Sequence, residues 1–336
     1  MEEKKFSEER IERYEKAGYR ILGEQKHSAI KVCRWAKESL RGKGDCYKKI
    51  FGVKSHRCIQ MTPTLNLCNF SCGFCWRPFA ENRHKAILDW DSPSAIIEDA
   101  IKFHKDVLAG FGGSKYVAKK KLKEAMQPAH FAISLDGEPT LYPHLAELIN
   151  EIKARGFSVF IVTNGTMPEK IKEIFSKDAI PDNLSVSIYA TTQEGYQNVT
   201  NCSDGDVLEK VKESLSLLRK FENCRTNIRL TLVKDLNMDD VEGYASLIKI
   251  GEPKFVTIKG YSHLGHSQKR LKFEQMPTME ELRDFAREIS EKNGYLIKYE
   301  DELRRAIILV RDEETWEWNK KKIAEQEERF LASGKN

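Results

Sequence analysis

Three cysteines are crowded into one short stretch of the chain, "LCNFSCGFCWRP" at residues 67–78. Cys68, Cys72 and Cys75 follow one another with the spacing C-x3-C-x2-C. A structural zinc site uses four closed ligands, whereas each iron of a [4Fe-4S] cluster takes one thiolate. Three thiolates therefore hold three irons and leave the fourth iron open to a small molecule that chelates through an amine and a carboxylate. The loop predicts an iron–sulfur centre with one open coordination position.

A second group of three cysteines lies upstream, at Cys33, Cys46 and Cys58. Their wide spacing leaves two interpretations open. They are either buried thiols without a metal, as single cysteines usually are, or the ligands of a second cluster with its own open iron. Cys58 lies at the start of the predicted strand that leads into the cysteine loop, so the two groups are neighbours along the chain.

Strand-like and helix-like segments alternate after residue 58, which predicts a parallel sheet buried on both faces. Six such units fall short of the eight in a closed barrel. The sequence therefore predicts an α/β fold, a partial (β/α)6 TIM-like barrel. For residues 295–310 a strand pair and an appended helix remain open. The six predicted strands cover residues 57–68, 130–140, 157–165, 183–190, 227–235 and 254–262.

The unusual residues follow the predicted strands, where folds with parallel strands place their chemistry. The cysteine loop follows the first strand and "DGEP" at 136–139 follows the second. "TNG" at 163–165 follows the third, and "KGYSHLGHSQKR" at 259–270 follows the sixth. We expect these segments to form one functional edge.

The totals of the sequence limit the class of protein. The 336 residues are 40% hydrophobic and 32% charged, with a net charge of +5. No apolar run approaches the roughly 18 residues that cross a bilayer, and the charged start does not resemble a signal peptide. We therefore expect a cytoplasmic protein without a membrane segment. Thiols stay reduced there, so eight cysteines indicate metal binding or catalysis before disulfides.

The C-x3-C-x2-C spacing, with the aromatic Phe74 directly before the third cysteine, resembles the radical S-adenosylmethionine (SAM) enzymes. The resemblance implies that the open iron chelates the methionine part of SAM and that Phe74 lies against the adenine. "GEP" is similar to the motif of these enzymes that grips the SAM amino group, although Asp136 replaces its usual first glycine. Gly137 would allow a close backbone approach, and Glu138 would accept a charged hydrogen bond.

Two further residues follow from the same resemblance. Asn164 and Ser187 lie at the ends of later strands, and the resemblance implies that they bind the ribose or the carboxylate of SAM. An ordinary turn residue is the alternative for either position.

Segments along nearly the whole chain resemble the radical SAM enzymes of tRNA wybutosine synthesis, among them "CYKKIFG", "HFAISLDGEPTLYP" and "IKGYSHLGHSQKRL". The resemblance implies that N1-methylguanosine in tRNA(Phe), next to the anticodon, condenses with pyruvate to the tricyclic base 4-demethylwyosine. It also implies two [4Fe-4S] clusters, the second held by Cys33, Cys46 and Cys58. Pyruvate would bind the open iron of that cluster, a Schiff base on Lys48, or both. A neighbouring cation or partial burial would free this amine for attack on a ketone.

The same resemblance implies a domain organisation. Residues 1–57 would form an N-terminal extension that contributes the ligands of the second cluster, and residues 58–336 a radical SAM domain with C-terminal elements. Longer members carry a flavodoxin-like domain for which we find no counterpart, so we expect an external electron donor. We also expect a monomer.

Contacts with RNA are expected from aromatic and basic side chains. Unpaired bases are read by stacking on aromatic or arginine planes, which suits Trp76 and Arg77 beside the cysteine loop. The lysine-rich segment 118–123 predicts an arm that grips tRNA through Lys119, Lys120 and Lys121. Phosphate contacts are expected from the loop after the sixth strand, at His263, His266, Lys269 and Arg270.

Two other functions stay open at the level of sequence. One is a radical SAM enzyme with a single cluster that acts on a protein or a small metabolite. The other is a zinc-stabilised RNA-binding module without redox chemistry, which has no need of six buried strands.

Overall fold

The computed structural model describes residues 8–79 and 89–332. The chain divides into two compact units. The described part of the first unit comprises residues 8–67, 89–161 and 323–332. The described part of the second comprises residues 68–79 and 162–322.

The strands of the first unit lie in chain order, and the last three are parallel. β1 pairs with β2 and β2 with β3 in antiparallel fashion, whereas β3, β4 and β5 run parallel. Cys58, His130 and Ser158 are register partners at the start of the parallel set. The bounds are β1 (Arg20–Leu22), β2 (Ser28–Ile30), β3 (Cys58–Thr62), β4 (His130–Ile133) and β5 (Ser158–Thr163).

Five α-helices accompany these strands among the described residues of the first unit. The third begins as the sequence predicts, because the Ser92 hydroxyl accepts a hydrogen bond from the Ala95 amide at 3.3 Å and Pro93 occupies the first turn. The bounds are α1 (Glu8–Lys16), α2 (Arg34–Leu40), α3 (Pro93–Ala109), α4 (Lys119–Ala125) and α5 (Leu145–Ala154).

The second unit also contains three parallel strands. β6 pairs with β7 and β7 with β8 in parallel fashion, and β10 runs antiparallel between β8 and β9. The chain from Leu296 to Val310 is therefore a strand pair, which decides between the two alternatives that the sequence left open. The bounds are β6 (Asn183–Ile188), β7 (Arg225–Leu232), β8 (Phe255–Gly260), β9 (Leu296–Asp301) and β10 (Ala306–Val310).

The helices after β5 alternate with these strands. α10 shows the predicted capping box, in which Thr278 and Glu281 exchange hydrogen bonds, and it ends at Gly294 with φ +72°. The bounds are α6 (Pro168–Ser176), α7 (Gln193–Thr200), α8 (Val207–Leu217), α9 (Val241–Gly251), α10 (Met279–Asn293) and α11 (Glu313–Ala332).

Residues on both faces of the parallel strands are largely buried. Every residue of β4 and of β6 is buried. In the second unit three buried polar side chains pair across three strands. Asn227 donates to the Ser185 hydroxyl at 3.0 Å and accepts from Thr257 at 2.9 Å. Such pairing between buried polar groups favours one register of the strands.

No helix within the described residues combines the length and apolar character that a membrane crossing requires.

Candidate functional site

The cysteine loop directly follows Leu67 in the chain and belongs to the second unit. The thiol of Cys72 is buried, whereas Cys68 and Cys75 are half-buried. The Cys75 amide donates to the Cys72 carbonyl at 3.0 Å and closes a tight turn between them. The Phe70 amide donates to the Cys68 sulfur at 3.4 Å. A hydrogen bond from a backbone amide to sulfur stabilises the thiolate form that iron requires.

The end of α7 supports the backbone of this loop. The Ser71 amide donates to the Thr200 carbonyl at 2.7 Å, and the Gly73 amide donates to the Val199 carbonyl at 2.9 Å. Asn201, which ends the helix in the left-handed conformation, donates through its side chain to the Ser71 carbonyl at 3.0 Å. Three hydrogen bonds to the main chain of Ser71 and Gly73 therefore fix the segment between Cys68 and Cys75.

Asn164 is part of a closed ring of hydrogen bonds with Asn69 and Thr166. Its amide donates to Asn69 at 2.7 Å, and Asn69 donates to the Thr166 hydroxyl at 2.6 Å. The Thr166 hydroxyl completes the ring by donating to the Asn164 carbonyl oxygen at 2.7 Å. Asn164 is buried, so its placement fastens the residues after β5 to the cysteine loop. A role of Asn164 in binding SAM stays a prediction.

Arg270 reaches back from the loop after β8 to the cysteine loop. Its Nη2 donates to the carbonyl of Cys75 and, at 3.2 Å, to that of Arg77. Its guanidinium lies 4.0 Å from the centre of the Phe79 ring. Burial lowers the pKa of Arg270 from its ordinary value, and the Cys75 and Cys72 thiols oppose that shift. The side chain predicted to contact phosphate therefore also stabilises the cysteine loop.

Phe74 and Ser187 lie close to the end of β6. The ring of Phe74 packs on Tyr189 with 5.3 Å between the ring centres. Tyr189 directly follows the last residue of β6, and the buried Ser187 is the penultimate residue of that strand. Contacts of Phe74 with adenine and of Ser187 with SAM stay predictions.

Gly137 lies in a turn of the first unit that excludes any other residue. Its φ is +65°, and a Cβ atom would lie 1.9 Å from the Thr64 carbonyl oxygen and 2.5 Å from that of Leu67. The amide of Glu138 donates to the same Leu67 carbonyl at 2.7 Å. Gly137 is therefore in close contact with the backbone of the chain itself, while the close approach to SAM that the resemblance implies stays a prediction.

The Glu138 side chain is fixed by its neighbour. It is 3% exposed, and its Oε1 accepts from the amide of Thr140 at 3.1 Å and from the hydroxyl of Thr140 at 2.7 Å. Asp136, which replaces the usual glycine, accepts through its carbonyl from the Thr62 hydroxyl at 2.6 Å. The Glu138 carboxylate is therefore held in one orientation, while its contact with the SAM amine stays a prediction.

The structure brings the second group of cysteines together from three separate points. Cys33 caps α2, with its sulfur accepting from the Ala36 amide at 3.3 Å, whereas Cys58 begins β3. Cys46 caps the 3-10 helix Tyr47–Phe51. Burial raises the pKa of Cys33 and of Cys58, and Cys46 raises the pKa of both further. The three thiols thus lie within electrostatic range of one another, in one group.

Lys48 lies beside this group. Its ammonium lowers the pKa of Cys33 and of Cys58, opposing the larger effect of burial. Its Nζ donates to the Ser134 hydroxyl at 3.5 Å, just after β4, and lies 5.8 Å from the centre of the Phe160 ring. The predicted Schiff-base lysine is therefore placed next to the three thiols.

Two residues that the sequence did not reveal hold the loop around Cys46. The Asp45 carboxylate accepts from the Ser55 amide at 2.9 Å, and the Ser55 hydroxyl accepts from the Cys46 amide at 2.8 Å. Burial opposes ionisation of Asp45, but hydrogen bonds from Ser39 and Ser55 outweigh it and lower its pKa. Asp45 directly precedes Cys46 in the sequence, which was the available signal for it, whereas no local pattern marked Ser55.

The donor set fits iron–sulfur clusters. Buried thiols resist ionisation, so three of them in one place become thiolates when a metal supplies the compensating charge. Each group also has one sulfur that accepts a backbone amide hydrogen bond. Among the described residues, no three or more His, Cys, Asp or Glu side chains converge on a single metal ion. A cluster needs no such convergence, because each cysteine binds its own iron.

Comparison with known proteins agrees with this geometry. The family model of the radical SAM superfamily matches residues 62–248, more than half of the chain, and that of wyosine base formation matches residues 250–311. A tRNA 4-demethylwyosine synthase of Pyrococcus horikoshii is 43% identical over 90% of this chain and 88% of its own length. The chain belongs to the tRNA 4-demethylwyosine synthase family of radical SAM enzymes.

Other members of the family match over similar lengths. The synthase of Methanocaldococcus jannaschii is 35% identical over 87% of this chain and 94% of its own. A structure of TYW1 with a lysine-pyruvate adduct bound superposes with a TM-score of 0.82 at 32% identity, over 92% of this chain and 98% of that chain. The fold class predicted from the sequence, a partial (β/α)6 barrel of the radical SAM superfamily, is confirmed.

Replacement of Gly137 by alanine tests the tight turn beside Thr64 and Leu67. We expect Gly137→Ala to lower the free energy of unfolding by about 3 kcal/mol or more, because left-handed strain adds to a steric overlap with backbone atoms. Gly42→Ala is the matched control, since Gly42 has φ +74° and nothing within 4 Å of the added Cβ. Urea unfolding measures both. An equal, small loss for the two variants would contradict the steric constraint.

Proposed function

We propose that this chain condenses N1-methylguanosine of tRNA(Phe), next to the anticodon, with pyruvate and forms 4-demethylwyosine. One observation carries the proposal. The lysine amine of Lys48 lies beside three clustered thiols in a chain that matches both family models and relatives named for this product. The family implies a tRNA substrate, a [4Fe-4S] cluster and SAM. Pyruvate and the second cluster belong to the proposal.

Cys68, Cys72 and Cys75 would hold the first cluster. When bound, that cluster supplies the electron that cleaves SAM and so generates the radical that removes hydrogen from the methyl group. The residues of the chain position the reactants. We propose that Glu138, the residue after Gly137, accepts a hydrogen bond from the SAM amine. Contacts with the adenine, and with the ribose or carboxylate of SAM, are assigned to Phe74, Asn164 and Ser187.

Cys33, Cys46 and Cys58 would hold a second [4Fe-4S] cluster. The nearby Lys48 amine attacks the pyruvate carbonyl and forms a Schiff base with loss of water. Ser134, which accepts a hydrogen bond from Lys48, orients the nitrogen toward this edge of the sheet. A lysine-pyruvate adduct in a TYW1 structure supports a covalent role for this lysine.

Several expectations complete the proposal. Residues 1–57 supply ligands of the second cluster to a domain formed by residues 58–336. The chain works in the cytoplasm as a monomer and takes its electrons from an external donor. The family match disfavours the two other functions, a single-cluster enzyme for another substrate and a zinc module.

Product formation tests the function. We expect chain loaded with iron and sulfide, incubated with SAM, pyruvate, dithionite and tRNA bearing N1-methylguanosine, to form the tricyclic nucleoside. Lys48→Arg keeps the charge but cannot form a Schiff base, so we expect product to disappear. Mass spectrometry of digested tRNA measures this. Lys49→Arg is the control, because Lys49 is an exposed neighbour. Borohydride trapping with pyruvate should label Lys48 in the wild type, and label elsewhere would contradict the assignment.

Iron content tests the second cluster independently of activity. The wild type should retain about eight irons per chain after anaerobic reconstitution, and Cys46→Ala about four, because only one of the two groups stays intact. Cys224→Ala is the control, as Cys224 directly precedes β7, lies outside both groups and should keep the full content. A wild type that binds about four irons would overturn the two-cluster proposal.

The predicted tRNA arm is helix α4, and the side chains of its lysines point in different directions. Lys119 and Lys120 are exposed, whereas Lys121 is half-buried and its Nζ donates to the Ser39 hydroxyl at 3.4 Å. His56 lies in the same network, between the Ser39 hydroxyl at 3.0 Å and the Glu124 carboxylate at 2.8 Å. We therefore assign phosphate contacts to Lys119 and Lys120, and a structural role to Lys121.

Salt dependence tests this arm. We expect the double variant Lys119→Ala/Lys120→Ala to bind tRNA more weakly and to reduce the slope of log K against log salt by about 1 to 2, because phosphate contacts release counterions. Titration of labelled tRNA between low and moderate salt measures the slope. Lys249→Ala, an exposed lysine on α9, is the control. An unchanged slope in the double variant would exclude α4 from the tRNA interface.

A further inference from the structure

Exposed apolar side chains are concentrated in one part of the second unit. Among residues 8–79 and 89–332, most large hydrophobic side chains are buried and seven are exposed. Four of the seven come from two short segments, residues 76–79 and 264–273. They are Trp76, Phe79, Leu264 and Phe273, which are 46%, 38%, 51% and 63% exposed. We call these four residues the stacking surface.

Main-chain contacts hold the two segments against each other. The His266 amide donates to the Trp76 carbonyl at 3.0 Å. Gly265 has φ +57°, and a Cβ there would lie 2.5 Å from the same carbonyl oxygen. Arg270 adds its bond to the Arg77 carbonyl at 3.2 Å. The backbone that carries the exposed rings is therefore held in place before any partner binds, which lowers the entropic cost of binding.

Cationic planes lie against the exposed rings. The guanidinium of Arg77 is 3.4 Å from the centre of the Trp76 ring, and that of Arg270 is 4.0 Å from the centre of Phe79. Phe273 packs edge-on against His263 with 6.0 Å between ring centres. Aromatic rings combined with arginine planes are typical of surfaces that stack unpaired bases.

The charge around the stacking surface favours a polyanion over a protein partner. Lys269 and Lys272 are exposed in the second segment, whereas Arg77 is buried and Arg270 half-buried behind the rings that they contact. The single carboxylate in or next to the two segments is that of Glu274, beside Phe273. Protein–protein interfaces are depleted of lysine at their centres, whereas single-stranded nucleic acid binds positive grooves lined with aromatic rings.

We propose that the stacking surface binds unpaired nucleotides of the tRNA anticodon loop. Trp76 and Phe273 stack on bases, and Phe79 and Leu264 cover their edges. Lys269 and Lys272, whose side chains are exposed, neutralise the adjoining phosphates. This inference rests on the proposed function and extends it to residues that the sequence did not single out, namely Phe79, Leu264 and Phe273.

Binding of tRNA tests the inference directly. The probe is labelled tRNA(Phe) transcript bearing N1-methylguanosine, titrated with the iron-loaded chain. We expect Phe273→Ala and Trp76→Ala each to weaken binding about tenfold, since loss of one stacked base costs roughly 1–3 kcal/mol. Trp76→Phe should restore most of the affinity, because it keeps an aromatic plane. Phe175→Ala, 42% exposed on α6, is the matched control and should bind like the wild type.

Salt dependence separates stacking from charge. The apolar variants should keep the wild-type slope of log K against log salt, whereas Lys269→Gln should reduce it by about 0.7, the value for one phosphate of a single strand. Thermal unfolding midpoints equal to that of the wild type show that each variant is folded. Apolar variants that bind tRNA as tightly as Phe175→Ala would overturn the inference.

Two further outcomes separate this inference from its alternatives. A wild type that sediments as a dimer and becomes monomeric in Phe273→Ala would show that a second copy of the chain covers the surface. A wild type that binds tRNA through these residues but forms no tricyclic nucleoside would refute the proposed function. It would still support the inference that the stacking surface binds tRNA.

Discussion

The turn at Gly137 depends on a contact between backbone atoms that leaves no space for a side chain. With φ at +65°, the Cα of Gly137 lies against the carbonyl oxygens of Thr64 and Leu67, and Glu138 closes the contact with its amide. Leu67 is the residue directly before Cys68, so this contact fixes the last residues of the first unit that precede the cysteine loop. The same turn orients the Glu138 carboxylate through Thr140. One steric constraint therefore determines the conformation of both segments.

Charge explains the other part of the site. Burial disfavours ionised thiols, and the mutual effects of Cys33, Cys46 and Cys58 add to that penalty. A chain that gathers three such groups without a compensating cation would lose stability. Lys48 offsets part of the penalty, and iron bound to the thiolates would offset the rest. Because the same amine is the proposed nucleophile for pyruvate, a single lysine both stabilises the group and is placed for its chemistry.

The sequence predicted what local pattern encodes and missed what folding alone brings together. Six parallel strands, the Ser92 cap and the capping box of Thr278 followed from periodicity and short motifs, and the structure contains them. The β1–β2 hairpin was not predicted, because its strands are three residues long and carry little pattern. The Asn69–Asn164–Thr166 ring and the Asp45–Ser55 pair join distant positions. The sequence does not distinguish Lys121 from the two lysines before it. Lys121 lies on a different face of α4, where its Nζ donates to the Ser39 hydroxyl.

The segment that matches the wyosine base formation model contacts the cysteine loop of the superfamily match. Arg270 lies within residues 250–311, yet it bonds to the carbonyl of Cys75 within the superfamily match at 62–248. Its positive charge lies near the Cys72 and Cys75 thiols, where it would favour the more negative, reduced state of a cluster held by them. The same loop places Gly265 against Trp76, at the edge of the stacking surface. Because Trp76 directly follows Cys75, one loop after β8 supports both the last cysteine of the group and the first ring of the surface.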